Sequence, residues 1–146
     1  MRFGSPAPHC GMSFYRATHR ILLDETDAAG VAFGPGLIQT AHRHAELALA
    51  SIGCSFAAII ASADFVLPLR RVNADFTKPV QHGDEIDVLI SIEALTEHGF
   101  TILVTFMGSE AKCAQISFEH VCIDRVKRFK RCMPDELQAQ LRLADN

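Results

Sequence analysis

Apolar positions follow two different rhythms along this chain. Between Gly36 and Ile52, the residues Ile38, Ala41, Ala45, Ala48 and Ile52 recur at steps of three and four. That spacing gathers them on one side of an α-helix, and Gly53 follows as a C-terminal cap. At 1.5 Å per residue the helix would be about 26 Å long. Its stripe is rich in alanine, and small side chains let a helix come close to a sheet, so a wrapped helix is expected. Elsewhere the rhythm is two. Tyr15, Ala17, His19, Ile21 and Leu23 share one side of a strand predicted from Ser13 to Leu23. The stretch "FVLPLRRVNADFTKP" offers Val72, Ala74 and Phe76 on one face, bracketed by Pro68 and Pro79 as at a strand end or sheet edge. "EIDVLISIEA" alternates with Ile86, Val88, Ile90, Ile92 and Ala94 inward and Asp87 and Ser91 outward. "FTILVTFM" and "CAQISFEHVCI" supply two more strands, with "HGD" and "EHG" as turns. A short helix is expected at Phe56 to Ala61. Another runs from Pro134 to Leu143, with Asp135 and Glu136 in its first turn as the helix dipole favours.

The order is strand, loop (Asp24 to Gly36), long helix, then about four strands joined by short turns and therefore antiparallel. The expected fold class is α+β, with one long helix against an antiparallel sheet of about five strands. No internal repeat is visible. "GSPAPHCG" is rich in Gly, Ser and Pro. Residues 1–12 are therefore expected to form a loose tail, and residues 13–146 one domain.

Composition narrows the classes. Hydrophobic residues make up 49% of the 146 residues, enough for one globular core and too many for a disordered chain. The net charge of −3 supplies no global positive field, so no nucleic-acid partner is expected. Arg125, Lys127, Arg128, Lys130 and Arg131 nevertheless crowd into "RVKRFKR". They read either as a solvated end or as a dock for a polyanionic ligand. Five cysteines, an odd number without a CxxC pair, argue against disulfides and for a reducing compartment such as the cytoplasm. His42 and His44 stand two apart and diverge on a helix, so no metal site is expected. There is no secretory signal and no apolar run of about 20 residues, so no membrane partner is expected.

The chemistry concentrates in "DETDAAGVAFGPGL", Asp24 to Leu37. Asp27 precedes a helix start built from Gly34, Pro35 and Gly36. A helix start leaves unpaired N–H groups and a partial positive end. Pro35 donates nothing, so Gly34 and Gly36 are the available donors, and glycine lets a ligand approach the backbone. These are the parts of an oxyanion site. A carboxylate beside it can attack a polarised carbonyl or deprotonate a water that does. The same letters also read as an Asx-turn and a bend. Glu46 flanks the buried face of the helix, where a salt bridge or partner contact is the plain account. Asp64 stands at a strand start and can cap a turn. No GxSxG, P-loop or GxGxxG is present.

"DETDAAGVAF" followed by an alanine-rich helix resembles the active-site loop of hot-dog-fold acyl-CoA thioesterases of the 4-hydroxybenzoyl-CoA type. "DFVLPLRRVNADFTKPVQHGDEIDV" is similar to that family's central strand pair, and "HVCID" to its last strand. The nearest branch is the dihydroxynaphthoyl-CoA thioesterases, and the resemblance runs from about Tyr15 to Arg128. It implies a hot-dog fold with a curved sheet around the helix. It implies an acyl-CoA substrate, no cofactor, and a homodimer as the minimal unit, built further into a homotetramer, with each site between two chains. It implies Asp27 as nucleophile or general base and the Gly34 amide as the group polarising the thioester carbonyl. Gly36, Glu46, Asp64, Arg70 and Arg71 are the candidate substrate-binding residues, and Lys78 and the Arg125 to Arg131 cluster are further cations for CoA phosphates. The family often carries an aromatic and an Asn-like side chain where Gly34, Pro35 and Gly36 stand. Arg43 replaces a common acidic residue. Both departures imply a wider acyl pocket or a different acyl group.

Thioester hydrolysis is the expected reaction. A hot-dog hydratase or dehydratase needs a His working with a carboxylate on the hydroxyacyl chain, and the next His after Asp27 is His42, inside the helix. A non-catalytic acyl-CoA-binding module is the third reading; it would have no need of Asp27.

Overall fold

Strands of six to twelve residues build the main sheet, and one long helix lies against it. The computed structural model describes residues 12–62 and 64–146. Apart from Met12, the expected N-terminal tail lies outside the described residues. The elements are β1 (Tyr15–Arg20), a 3-10 turn (Leu23–Glu25), α1 (Gly34–Ser51), α2 (Phe56–Ser62), β2 (Phe65–Val66) and β3 (Leu69–Phe76). They continue with β4 (Glu85–Thr96), β5 (Gly99–Met107), β6 (Lys112–Val121), β7 (Ile123–Asp124) and α3 (Asp135–Asp145). A five-stranded antiparallel sheet has the order β1-β4-β5-β6-β3, and β2 and β7 form a separate two-stranded pair. The α+β class and the strand number agree with the sequence reading.

Helix α1 packs on β4, β5 and β6. Leu37, Ala41, Ala45, Ala48 and Leu49 form its buried face, together with Thr40. The face is centred slightly earlier than the apolar letters suggest: Ile38 and Ile52 are only partly buried. Ala41, Ala45 and Ala48 let the helix backbone approach Ile90, Ile102, Val104 and Ile116, the fully covered middle of the core. The helix ends in a Schellman motif: Cys54 N–H bonds to Leu49 O at 2.9 Å, and Gly53 N–H to Ala50 O at 3.1 Å. Gly53 has φ of 92°, which only glycine adopts cheaply.

Several boundaries and faces differ from the expectation. The first strand stops at Arg20, because the Ile21 amide turns to Asp84 O and the chain enters the 3-10 turn. Leu23 is consequently exposed. Helix α1 starts at Gly34 rather than Gly36, since Pro35 fits the first turn of a helix. On β4, Glu93 is an extra residue in the register with β5, so Ala94 turns outward and is exposed. Ser91, expected outward, is buried on a strand that α3 packs against. Val72 and Phe76 of β3 are exposed at 37% and 48%, and of the expected inward face only Ala74 packs on the core. The reason is position: among the described residues β3 is an edge strand, paired with β6 alone.

Strand β3 is also not the neighbour of β4. Residues 77–84 cross past β6 and β5, about 14 Å at the usual strand spacing. On the way Val80 is buried at the mouth of the Asp27 loop. The crossover therefore serves as the floor of the region to which the chemistry was assigned.

Candidate active site

The Asp27 loop is a small hairpin. The Phe33 amide bonds to Glu25 O at 3.1 Å, Thr26 bridges to Ala32, and the Asp27 amide bonds to Val31 O at 2.9 Å. Gly30, with φ of 79°, makes the reversal, and its amide returns to Asp27 O. The crossover holds the hairpin from below: Ala32 N–H bonds to Val80 O at 2.7 Å and His82 N–H to Gly30 O at 2.8 Å. The Asp27 side chain closes an Asx-turn. Its Oδ1 accepts the amides of Ala29 (2.8 Å) and Val31 (3.2 Å). Its Oδ2 has no partner among the described residues. The turn and the reagent readings are therefore compatible: one oxygen orients the group and the other is available.

Phe33, in extended conformation, is the N-cap of α1, and Gly34 is its first residue. Helix geometry leaves the Gly34 and Gly36 amides without intrahelical acceptors. Gly34 lies under Phe76: a Cβ added there would stand 3.2 Å from a ring carbon. A cavity of about 320 Å³ opens between Gly34, Leu37, Phe76 at the end of β3 and the crossover residues 77–80, with Lys78 as its cation. Asp27 does not line that cavity and is exposed in the single chain. The expected convergence of carboxylate and helix tip within a closed cleft is thus not formed by one chain alone. Gly36 is buried with its own packing reason, since a Cβ there would meet Glu25 Cα and O at 3.1 Å.

The other predicted residues divide. Glu46 borders a second cavity of about 320 Å³ that runs along α1 beside β3, with Ile38, His42 and Val72. Glu46 and His42 also border a smaller one of about 170 Å³ against Phe56 and His120. Arg70 and Arg71 are paired with Glu119 at 3.0 and 3.8 Å. Asp64 is paired with Arg131 at 3.2 Å, which ties it to the β7 region instead of the helix start. In the basic cluster Arg125 donates to Ile59 O, while Lys127, Arg128 and Lys130 are exposed.

Sequence reasoning missed Glu25. It is only 4% exposed, yet carries a carboxylate. Its Oε1 accepts from the Thr40 hydroxyl and contacts His19 Nε2 at 2.7 Å; its Oε2 accepts the Leu22 amide at 2.8 Å. His44 Nε2 continues the chain to His19 Nδ1 at 3.3 Å. Burial would raise the Glu25 pKa, but the hydrogen bonds from Thr40, the Leu22 amide and His19 outweigh it and hold it below the usual value. The available signal was polar residues in core rhythm. His19 lies in the inward series of the first strand, and Thr40 and His44 stand beside the alanine stripe.

Burial lowers the pKa of His44, whose Nδ1 is buried without a partner, and of His120, whose Nδ1 pairs with Leu67 O. The unfolded chain takes up protons on these residues near pH 6.5, while the folded chain does so only at lower pH. Stability is therefore expected to fall as pH drops below about 6.5. Glu25 adds a second loss below its unfolded value of 4.5, as pH falls through its lowered folded pKa. Thermal unfolding midpoints measured from pH 8 to pH 4 check this. A midpoint unchanged between pH 7 and pH 5 contradicts the histidine part.

Among the described residues, Glu97, His98 and Cys132 bring possible metal-ligating atoms within 4.8 Å of one another. The thiol approaches His98 Nε2 at 3.7 Å and the carboxylate approaches Nδ1 at 3.6 Å. The described cysteines, at 54, 113, 122 and 132, are free. Cys10 lies outside the described residues. No helix among the described residues is long and apolar enough to cross a membrane.

The chain is similar to several known proteins. The 1,4-dihydroxy-2-naphthoyl-CoA hydrolase of Synechocystis sp. is 31% identical over 134 residues, covering 89% of this chain and 96% of that protein. The enzyme of the same name from Acaryochloris marina is 28% identical over 123 residues, covering 82% and 90%. The crystal structure of a 1,4-dihydroxy-2-naphthoyl-CoA thioesterase from Synechocystis superposes with a TM-score of 0.82 at 29% identity, covering 90% of this chain and 98% of that one. The hot-dog fold expected from the sequence is therefore present. A sequence model of the Thioesterase-like superfamily matches residues 21–141, from the end of β1 into α3. That match takes in the Asp27 hairpin, the helix and all but the first strand of the sheet, and the chain belongs to the Thioesterase-like superfamily.

Proposed function

We propose that the protein hydrolyses an acyl-CoA thioester to the free acid and CoA, with an aryl-CoA such as 1,4-dihydroxy-2-naphthoyl-CoA or 4-hydroxybenzoyl-CoA favoured. One observation carries the chemistry: a hairpin presents a carboxylate with one oxygen fixed and one unpartnered, and that hairpin ends at the unpaired amide of Gly34. The names of the relatives support the substrate class. In this reading the Gly34 amide and the helix dipole stabilise the oxyanion that forms on the thioester carbonyl. Asp27 Oδ2 attacks the carbonyl carbon, giving a mixed anhydride that water then hydrolyses to the free acid, or it takes a proton from a water that attacks the carbonyl directly. The C–S bond breaks and CoA leaves as a thiolate, so no strong general acid is needed. The groove bordered by Ile38, His42, Glu46 and Val72 offers room for the acyl group, and Glu46 is its carboxylate.

The exposure of Asp27 is accounted for by a second copy of the chain. Among the described residues the outer edge of β3 is unpaired, and Leu69, Val72 and Phe76 are exposed on it. Pairing two such edges covers apolar surface, removes an open strand and closes the helix-start region between two chains. A homodimer is the minimal unit on this reading, and a homotetramer pairs two dimers.

Thiol release from a panel of aryl- and fatty acyl-CoAs, run alongside light scattering, tests both parts. Free CoA is expected, fastest with aryl substrates, from a particle of at least dimer mass. Loss of water from a hydroxyacyl-CoA without free thiol would replace the reading with a hydratase. Tight binding without turnover would replace it with a binding module. A fully active monomer would remove the shared site.

A further inference from the structure

We propose that Glu25 is a positioning residue of the site: it fixes the Asp27 hairpin and the first turn of α1 to each other. The inference rests on the thioesterase reading of Asp27 and Gly34 for its link to catalysis, but its geometry is independent of that reading. Glu25 is in contact with β1, the turn that leads out of it and the start of α1. Its side chain reaches β1 through His19, the 3-10 turn through the Leu22 amide, and the second turn of α1 through Thr40. Its carbonyl accepts the amide of Phe33, the N-cap immediately before Gly34. Its Cα and O lie so close to Gly36 that a Cβ added there would stand 3.1 Å from both. Two residues further on stands Asp27.

The arrangement has a physical reason. The hairpin borders solvent; the crossover holds its second limb through Val80 O and the His82 amide, and Glu25 stands at the base of its first limb. A loop of this kind samples alternative positions unless something buried holds it. A buried carboxylate with its hydrogen bonds satisfied holds strongly, because each donor loses a buried partner if it leaves. Catalytic groups displaced by about 1 Å can lose on the order of 100-fold in rate. Glu25 thus links the backbone that carries the carboxylate to the backbone that carries the oxyanion donor.

Glu25→Gln keeps the shape and removes the charge. An amide NH2 in the Oε2 place meets the Leu22 N–H, donor against donor; in the Oε1 place it fits only if the Thr40 hydroxyl turns and the His19 ring changes tautomer, so the network of the wild type is not reproduced. The test combines steady-state thiol release with amide hydrogen exchange. In the variant, exchange is expected to quicken at least tenfold in residues 25–37, with β4 to β6 unchanged, and kcat to fall at least tenfold with KM within about threefold. Thr40→Val, which removes one donor and keeps the shape, should move both readouts in the same direction by less. It carries the test alone if the Gln variant does not fold. Wild-type exchange and kcat in folded Glu25→Gln overturn the inference. Exchange that quickens equally across the sheet also overturns it, because Glu25 would then serve only general stability. A wild-type protein that releases no thiol from any acyl-CoA defeats the thioesterase reading, and the exchange pattern then decides the role of Glu25 in the loop.

Discussion

Asp27→Asn is expected to lower kcat by two orders of magnitude or more, with the fold and acyl-CoA binding retained. A hundredfold loss corresponds to about 2.7 kcal/mol in the barrier. The substitution is unusually clean here. An Asn side-chain oxygen can accept the Ala29 and Val31 amides as Asp27 Oδ1 does, so the turn survives. The residue is exposed, so no core packing changes and the melting temperature should stay near the wild-type value. What disappears is the negative charge on Oδ2, the atom without an internal partner. Loss in kcat without a matching rise in KM means that an interaction made in the transition state was removed. Thiol release under saturating substrate measures it, and isothermal titration with the Asn variant measures binding separately. Retained turnover would remove Asp27 from the mechanism and return it to being a turn residue. Asp27→Ala is less informative, because it also deletes the acceptor that holds the turn.

The parts of the fold that were readable from the sequence are those in which local rhythm and tertiary burial agree. Ala41, Ala45 and Ala48 announce α1 and do form its buried face, and Gly53 announces its end. Ile86 to Ile92 alternate and are buried as their spacing requires. Rhythm cannot say what lies beside a strand. Nothing in "RRVNADF" reveals that β3 lies on the far side of β6 from β4, or that Val72 and Phe76 face outward from the chain. An apolar face awaiting another chain has the same letters as one turned to its own core. One extra residue, Glu93, was enough to reverse Ala94. The same limit applied at the site. Asp27 and Gly34 stand at a helix start, and that local context alone makes them candidates in the sequence. Glu25 was not, because its burial is created by His19 from β1 and Thr40 from α1, which only the folded chain brings to it.

The Gly34 amide is tested by comparing two substitutions, since either alone mixes chemistry with packing. Gly34→Pro deletes the N–H and is expected to lower kcat by about 10²–10³, the usual loss of one oxyanion donor, about 3–4 kcal/mol. Proline is tolerated at the first helical position, and Phe33 before it is already extended at φ −101° and ψ 152°, as a residue preceding proline prefers. Gly34→Ala keeps the N–H but adds the same Cβ. Both variants press on the Phe76 ring, whose carbon would lie 3.2 Å from that Cβ, and Phe76 is a half-exposed side chain that can yield. Both also place a Cβ ahead of Pro35, where helical backbone is disfavoured for any residue that carries one. The shared costs should appear as similar falls in melting temperature, and the donor alone should separate the rates. The alanine variant is therefore expected to keep at least a tenth of wild-type kcat while the proline variant falls far below it. Equal losses in the two would mean that the helix tip matters for packing under Phe76 and that the oxyanion is stabilised elsewhere.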